Sequence, residues 1–177
     1  MTVPDTVKVK GYDIPVTAIA DKAFSKDKNL ATVTIGKNVT TVGKNAFSSC
    51  AKLKTVKGGT AVEVIKDSAF SGCAALKTLP AFPKLKTIGA NAFKGCKALT
   101  KVTIGANVNS IGKNAFNGCA ALKTITIKST LLTKSNVKNG AFKGINAKAT
   151  VKCPKKKLKD YQKFLPGKGV PKTAKIK

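Results

Sequence analysis

Three side-chain types carry most of the chemistry open to this 177-residue chain: five cysteines, seven carboxylates and 34 lysines. Histidine, arginine and tryptophan are absent. Without histidine there is no Ser-His-Asp or Cys-His apparatus and no imidazole ligand for a metal. Four of the cysteines, Cys50, Cys73, Cys96 and Cys119, stand 23 residues apart. Zinc needs ligands converging in pairs such as Cys-x-x-Cys, and the sequence has none. A disulfide between successive positions would join Cβ vectors that run parallel, a poor geometry. The spacing reads as reduced thiols buried in a core, with Cys153 a core residue in another register. Four of the seven carboxylates precede residue 28, and together they offer no convincing acid/base pair or calcium cluster. Gly36 and Gly43 lie seven apart ahead of Lys44-Asn45, whereas a phosphate-binding loop needs glycines five apart and Ser or Thr after the lysine. Gly112-Lys113-Asn114 repeats that pattern, so it belongs to turn chemistry. No catalytic, cofactor-binding or metal-ligating residue emerges, and an enzyme is not expected.

The lysines give a formal net charge of +27. Residues 1–27 are neutral, residues 28–153 hold 21 lysines against Glu63 and Asp67, and residues 154–177 hold nine against Asp160. Such a field attracts polyanions: teichoic acid, sulfated glycans, acidic lipids or nucleic acid. Specific nucleic-acid reading is not expected, because base edges favour arginine and single strands favour aromatic platforms. The plainer account is a solvated, soluble face. No window approaches a membrane span. The N-terminus shows no basic-then-apolar signal region, which does not make a cytoplasmic home.

The elements that position these side chains follow from a repeat. Ala-Phe recurs with its phenylalanine at Phe24, Phe47, Phe70, Phe93, Phe116 and Phe142, four intervals of 23 residues and a last one of 26. Five residues before each comes Ile19, Val42, Ile65, Ile88, Ile111 or Val137, and nine after comes Val33, Val56, Leu79, Val102, Ile125 or Val151. Units this small cannot bury their own apolar side, so they stack into a solenoid and share one core. Leu30-Ala-Thr-Val-Thr-Ile35 has the alternation of a short strand, paired in parallel with its neighbours about 4.8 Å away. Ile-Gly-x-Asn-Ala-Phe-x-Gly-Cys suits a tight turn or short helical segment opposite, with its Phe forming a ladder between layers. The outward strand positions then form one face: Thr32, Thr34, Thr55, Lys57, Thr78, Pro80, Lys101, Thr103, Thr124, Thr126, Thr150 and Lys152. It is hydroxyl-rich and positive but lacks the Trp, Tyr or Arg anchors of protein hot spots. It suits a weak or multivalent binder; strand propensity and solubility explain the threonines equally well.

Residues 108–127, Val-Asn-Ser-Ile-Gly-Lys-Asn-Ala-Phe-Asn-Gly-Cys-Ala-Ala-Leu-Lys-Thr-Ile-Thr-Ile, resemble the BspA-type (treponemal-type) leucine-rich repeat of bacterial surface proteins. The likeness extends over roughly residues 12 to 153. It implies a right-handed solenoid of about six coils, secretion or surface display, and adhesion or protein binding rather than catalysis.

Three departures from the pattern carry expectations. Gly58 and Ala81 replace the apolar residue seen as Ile35, Ile104 and Ile127, so those coils should have a thinner core, refilled by Phe82. The three-residue insertion around 131–136 should bulge outward, as a functional loop or as a tolerated insertion. Leu158, Tyr161, Phe164 and Leu165 lie at helical spacing among lysines, which reads as a C-terminal cap or, alternatively, a basic helix on a membrane. We therefore divide the chain into an irregular or trimmed N-terminal coil (1–18), the solenoid (19–153), and a basic cap helix with a terminal strand (154–177). Three functions fit: an interaction module binding host or bacterial surface proteins, a lysine-based polyanion or cell-wall anchor, and a passive spacer. Like charge favours a monomer.

Overall fold

Each repeat winds once around a shared core in the computed structural model, which describes Met1–Lys177. The chain opens with an antiparallel hairpin of β1 (Thr6–Val9) and β2 (Tyr12–Pro15). There follow β3 (Ala18–Ile19), β4 (Thr32–Ile35), β5 (Thr41–Val42), β6 (Thr55–Gly58), β7 (Val64–Ile65), β8 (Thr87–Ile88), β9 (Lys101–Ile104), β10 (Ser110–Ile111), β11 (Thr124–Ile127) and β12 (Thr150–Lys152). A short helix, α1 (Leu158–Phe164), and β13 (Lys175–Ile176) close the chain. Every strand pairing after the hairpin is parallel, and the stack is about seven coils high. It exceeds the six sequence repeats because the termini add layers. Thr2 bridges Thr34 at one end, and β13 pairs with β12 at the other.

The expected long strands are present, and a second parallel sheet runs beside them. Its strands β3, β5, β7, β8 and β10 hold two residues each. Two residues cannot show an alternation, so no pattern marked them as strands. The segment carrying the repeat Phe contains no helix; it is a run of tight turns. Two positions per coil lie in the left-handed region. Asn45, Asn91 and Asn114 occupy the first, at φ of 54° to 57°, and Gly72, Gly95 and Gly118 the second. Asparagine and glycine tolerate that backbone best, which explains the recurrent Asn-Ala-Phe-x-Gly.

The repeat phenylalanines stack in an unbroken ladder from Phe24 to Phe142, with centroids 5.0–5.5 Å apart and planes within 11°. Main-chain bonds reinforce it, Phe47 N–H donating to Ala69 O at 2.7 Å and Phe70 N–H to Ala92 O at 2.8 Å. Valine and isoleucine of the long strands and the leucine six after each of the first five Phe residues are buried against the ladder in one continuous core.

The long-strand sheet is divided. It comprises a pair, β4–β6, and a four-stranded group, β9–β11–β12–β13. Between them the coil retains only a bridge from Thr55 to Thr78. Along an intact strand, Thr124 N–H donates to Thr100 O and Lys128 N–H to Ile104 O, so alternate residues are donors. Pro80 occupies such a position and has no N–H to give. Phe82 then fills the space left by Gly58 and Ala81. It is buried, and a Cβ on Gly59 would lie 2.9 Å from its ring.

The N-terminal end differs from the sequence reading, while the C-terminal end carries the expected short helix. Residues 1–18 hold a regular hairpin where an irregular coil was expected. Lys10 and Gly11 both have positive φ, 49° and 83°, as a two-residue hairpin turn requires. The alternation of Val7 and Val9 against Tyr12 and Ile14 marks its strands. In the insertion, Leu131 is half exposed, but Leu132 is buried and ties the loop to the core. Tyr161 of α1 is fully buried and donates its hydroxyl to Ser129 O at 2.7 Å, fastening the cap to the last long strands.

Candidate interaction face

The outward residues of the long strands line up in two rows, because parallel pairing without slip places equal repeat positions side by side. One row carries Thr32 beside Thr55, then Thr55 beside Thr78, and resumes as Lys101, Thr124, Thr150 and Lys175. The other carries Thr34 beside Lys57 and resumes as Thr103, Thr126 and Lys152. The structure thus brings all the sequence-selected residues to one side. Pro80, in the second row, falls at the division of the sheet. Thr32, Thr34, Thr55, Thr103, Thr124, Thr126 and Thr150 are half-buried, while Thr78, Lys57, Lys101 and Lys152 are exposed. Spaced hydroxyls with protruding ammonium groups can donate hydrogen bonds and attract carboxylates over a broad, shallow surface.

The cysteines lie on the other flank and have a structural task. Cys50, Cys73, Cys96 and Cys119 each turn the thiol toward a phenylalanine carbonyl of the preceding coil: Phe24, Phe47, Phe70 and Phe93, at 2.9–3.2 Å. Burial pushes these thiols up, Cys73 and Cys119 to about 12 and Cys96 further, and it raises Cys50 as well. Cys153, less deeply placed, is raised to about 11 by the same cause. Protonated thiols are poor nucleophiles and poor metal ligands. All five are free. No three His, Cys, Asp or Glu side chains gather closely enough to hold a metal ion.

Charge is weakly paired. Four lysines, Lys8, Lys37, Lys86 and Lys157, make ion pairs, and the closest joins Lys86 to Glu63 at 2.7 Å. That bond holds the Glu63 carboxyl below its ordinary range. No helix is long and apolar enough to cross a membrane.

A cleft between the insertion and the cap was not legible in the sequence. It measures about 530 Å³ and collects Thr133 and Lys134 from the loop with Lys157, Lys163 and Lys168 from the cap. The available signals were the three-residue offset and the apolar pair Leu131-Leu132 within it.

Stacked parallel coils with a continuous side-chain ladder define a repeat solenoid. Comparison with known proteins makes the class specific. The model of the BspA type leucine-rich repeat region matches six copies over residues 17–148. The chain belongs to this family. A leucine-rich-repeat protein of T. pallidum is similar at 27% identity, with a TM-score of 0.67, over 86% of this chain and 72% of that one. One from Bacteroides ovatus is similar at 26% identity, with a TM-score of 0.59, over 87% of this chain and 51% of that one. The pneumococcal vaccine antigen PcpA shares the fold at 18% identity and a TM-score of 0.62, and the chain spans 41% of its length. No curated protein is a match.

Proposed function

We propose that the chain is a non-enzymatic interaction module of a secreted or surface-displayed bacterial protein, and that it binds partner proteins through the threonine–lysine face. The observation that carries this reading is the in-register repetition of the same outward side chains along the long strands. Membership in a leucine-rich-repeat family supports it. Adhesion is the use such a face suits: many equal, individually weak contacts add by multivalency.

The test is binding of the purified chain to a panel of host extracellular-matrix proteins and to epithelial cells. Binding above that of a charge-matched unrelated protein is expected. The triple variant Thr103→Glu, Thr126→Glu, Lys152→Glu should lower it at least about tenfold. Binding no better than the control, or unchanged in the triple variant, overturns the proposal.

A second reading rests on the +27 charge: the lysines hold a polyanion of the cell wall. It predicts retention on immobilised heparin or teichoic acid that collapses as salt rises. Retention indifferent to salt rejects it.

A further inference from the structure

Lys168 is the one charged residue buried in this protein, at 8% exposed. Stacking explains where its main chain lies, because its carbonyl accepts from Phe142 N–H at 3.0 Å and so continues the inter-coil bonds of the ladder. Stacking does not explain its side chain, since any residue supplies a carbonyl. The ammonium donates to the neutral amide oxygen of Asn139 at 3.2 Å and takes no part in an ion pair. An ammonium whose one protein partner is a neutral amide oxygen keeps donors free for an anion.

The surroundings of Lys168 suit one. It lines the cleft of about 530 Å³ together with Lys134, Lys157 and Lys163. Asp160, the one carboxylate there, is engaged by Lys157 at 3.1 Å. Three lysines therefore border the cleft without a carboxylate partner. Behind the Lys168–Asn139 pair, Lys113 and Lys138 line a second cavity and deepen the positive potential. The lining also has an apolar part, Leu132 and Phe164. The loop that forms one wall is preorganised. Thr133 N–H donates to Asn136 Oδ1 at 2.7 Å, Asn136 Nδ2 donates to Leu131 O at 2.9 Å, and Leu132 is anchored in the core.

We propose that this cleft is a binding site for an oxyanion ester, a phosphate or sulfate carried on a small polyhydroxylated group such as a sugar. Its volume falls within the range of organic-ligand pockets and far exceeds a bare ion. The oxyanion is held by Lys168, Lys134 and Lys163. The carbon skeleton lies against Phe164 and Leu132, with Thr133 and Asn139 available to its hydroxyls. The site is separate from the threonine–lysine face, so either proposal can fail alone.

Calorimetric titration of the full chain at physiological salt with glucose 6-phosphate, glucose 6-sulfate and glucose tests it. Saturable binding of at least one ester is expected, with none for glucose, and the preferred ester identifies the anion. Lys134 and Lys163 are exposed, so the double variant Lys134→Ser, Lys163→Ser should fold and bind at least about tenfold more weakly. The control Lys97→Ser, Lys123→Ser removes equal charge at exposed positions outside both the cleft and the face, and should bind as the parent does. Lys168→Met should abolish binding; should it fail to fold, the double variant decides. Glucose binding as well as its esters, non-saturating heats, or equal losses in the two double variants overturns the proposal.

Discussion

The two flanks of the solenoid are built from the same repeat yet differ in continuity. The flank of short strands and phenylalanines runs without a break: β3, β5, β7, β8 and β10 form one sheet, and six rings stack beside it. The flank of long strands is cut at Leu79-Pro80-Ala81, leaving sheets of two and four strands. Stacking therefore depends on the ladder side, where ring, thiol and main chain all bond to the neighbouring coil. The strand side tolerates a missing donor, which leaves its outward residues freer to serve a partner.

Breaking the ladder should have the largest effect. Phe70 is fully buried, between Phe47 and Phe93 at 5.0 and 5.4 Å. Phe70→Ala removes two stacked contacts and opens a cavity that backbone on both sides prevents from collapsing. We expect a loss of about 3–5 kcal/mol, read as a lower denaturant midpoint in urea. A loss under about 1 kcal/mol would place the stabilising contacts elsewhere.

Sequence legibility follows the same division. The Phe ladder and the buried cysteines were readable because each occupies one position per 23 residues, and period is what stacking demands. The long strands were readable from Thr-Val-Thr-Ile. The short sheet was not, because its strands exist through their neighbours rather than through a local pattern. The cleft was hidden for a related reason. Lys134 and Lys168 lie 34 residues apart, and only the folding of the cap against the insertion brings them together. On the face, the repeat sets which residues share a strand register, but nothing in a threonine distinguishes a contact from a strand former.

The thiols sharpen the comparison through pH. Each ladder cysteine has an ordinary pKa near 9 when unfolded and a raised one when folded, about 12 for Cys73 and Cys119. A raised folded value means the folded state holds the proton more tightly. The stability this contributes is complete below pH 9 and disappears as pH rises toward 12. Denaturation midpoints should therefore fall across that window. Alkylation by iodoacetamide at about pH 8, just below the ordinary thiol range, should label Cys153 first, because it is the half-buried thiol. The ladder thiols should follow only at the rate of unfolding. Equal labelling of all five would contradict a thiol ladder.

Mending the strand flank should do least. Pro80→Thr restores a donor opposite Val56 and a side chain matching Thr103 and Thr126 in the outward row. One added main-chain hydrogen bond contributes about 0.5–1.5 kcal/mol. Losing proline frees the unfolded chain and costs about 0.4–1 kcal/mol. Phe82 resists the change from the other side, since it holds a φ of 42° while filling the space over Gly59. The terms nearly cancel, so the thermal midpoint should move little. The readable change is local: the main-chain amide that the substitution introduces, followed by hydrogen exchange, should gain protection and join the two sheets. A large fall in the midpoint instead would mean that the proline and Phe82 act together as a plug, and that the division of the sheet is itself a source of stability.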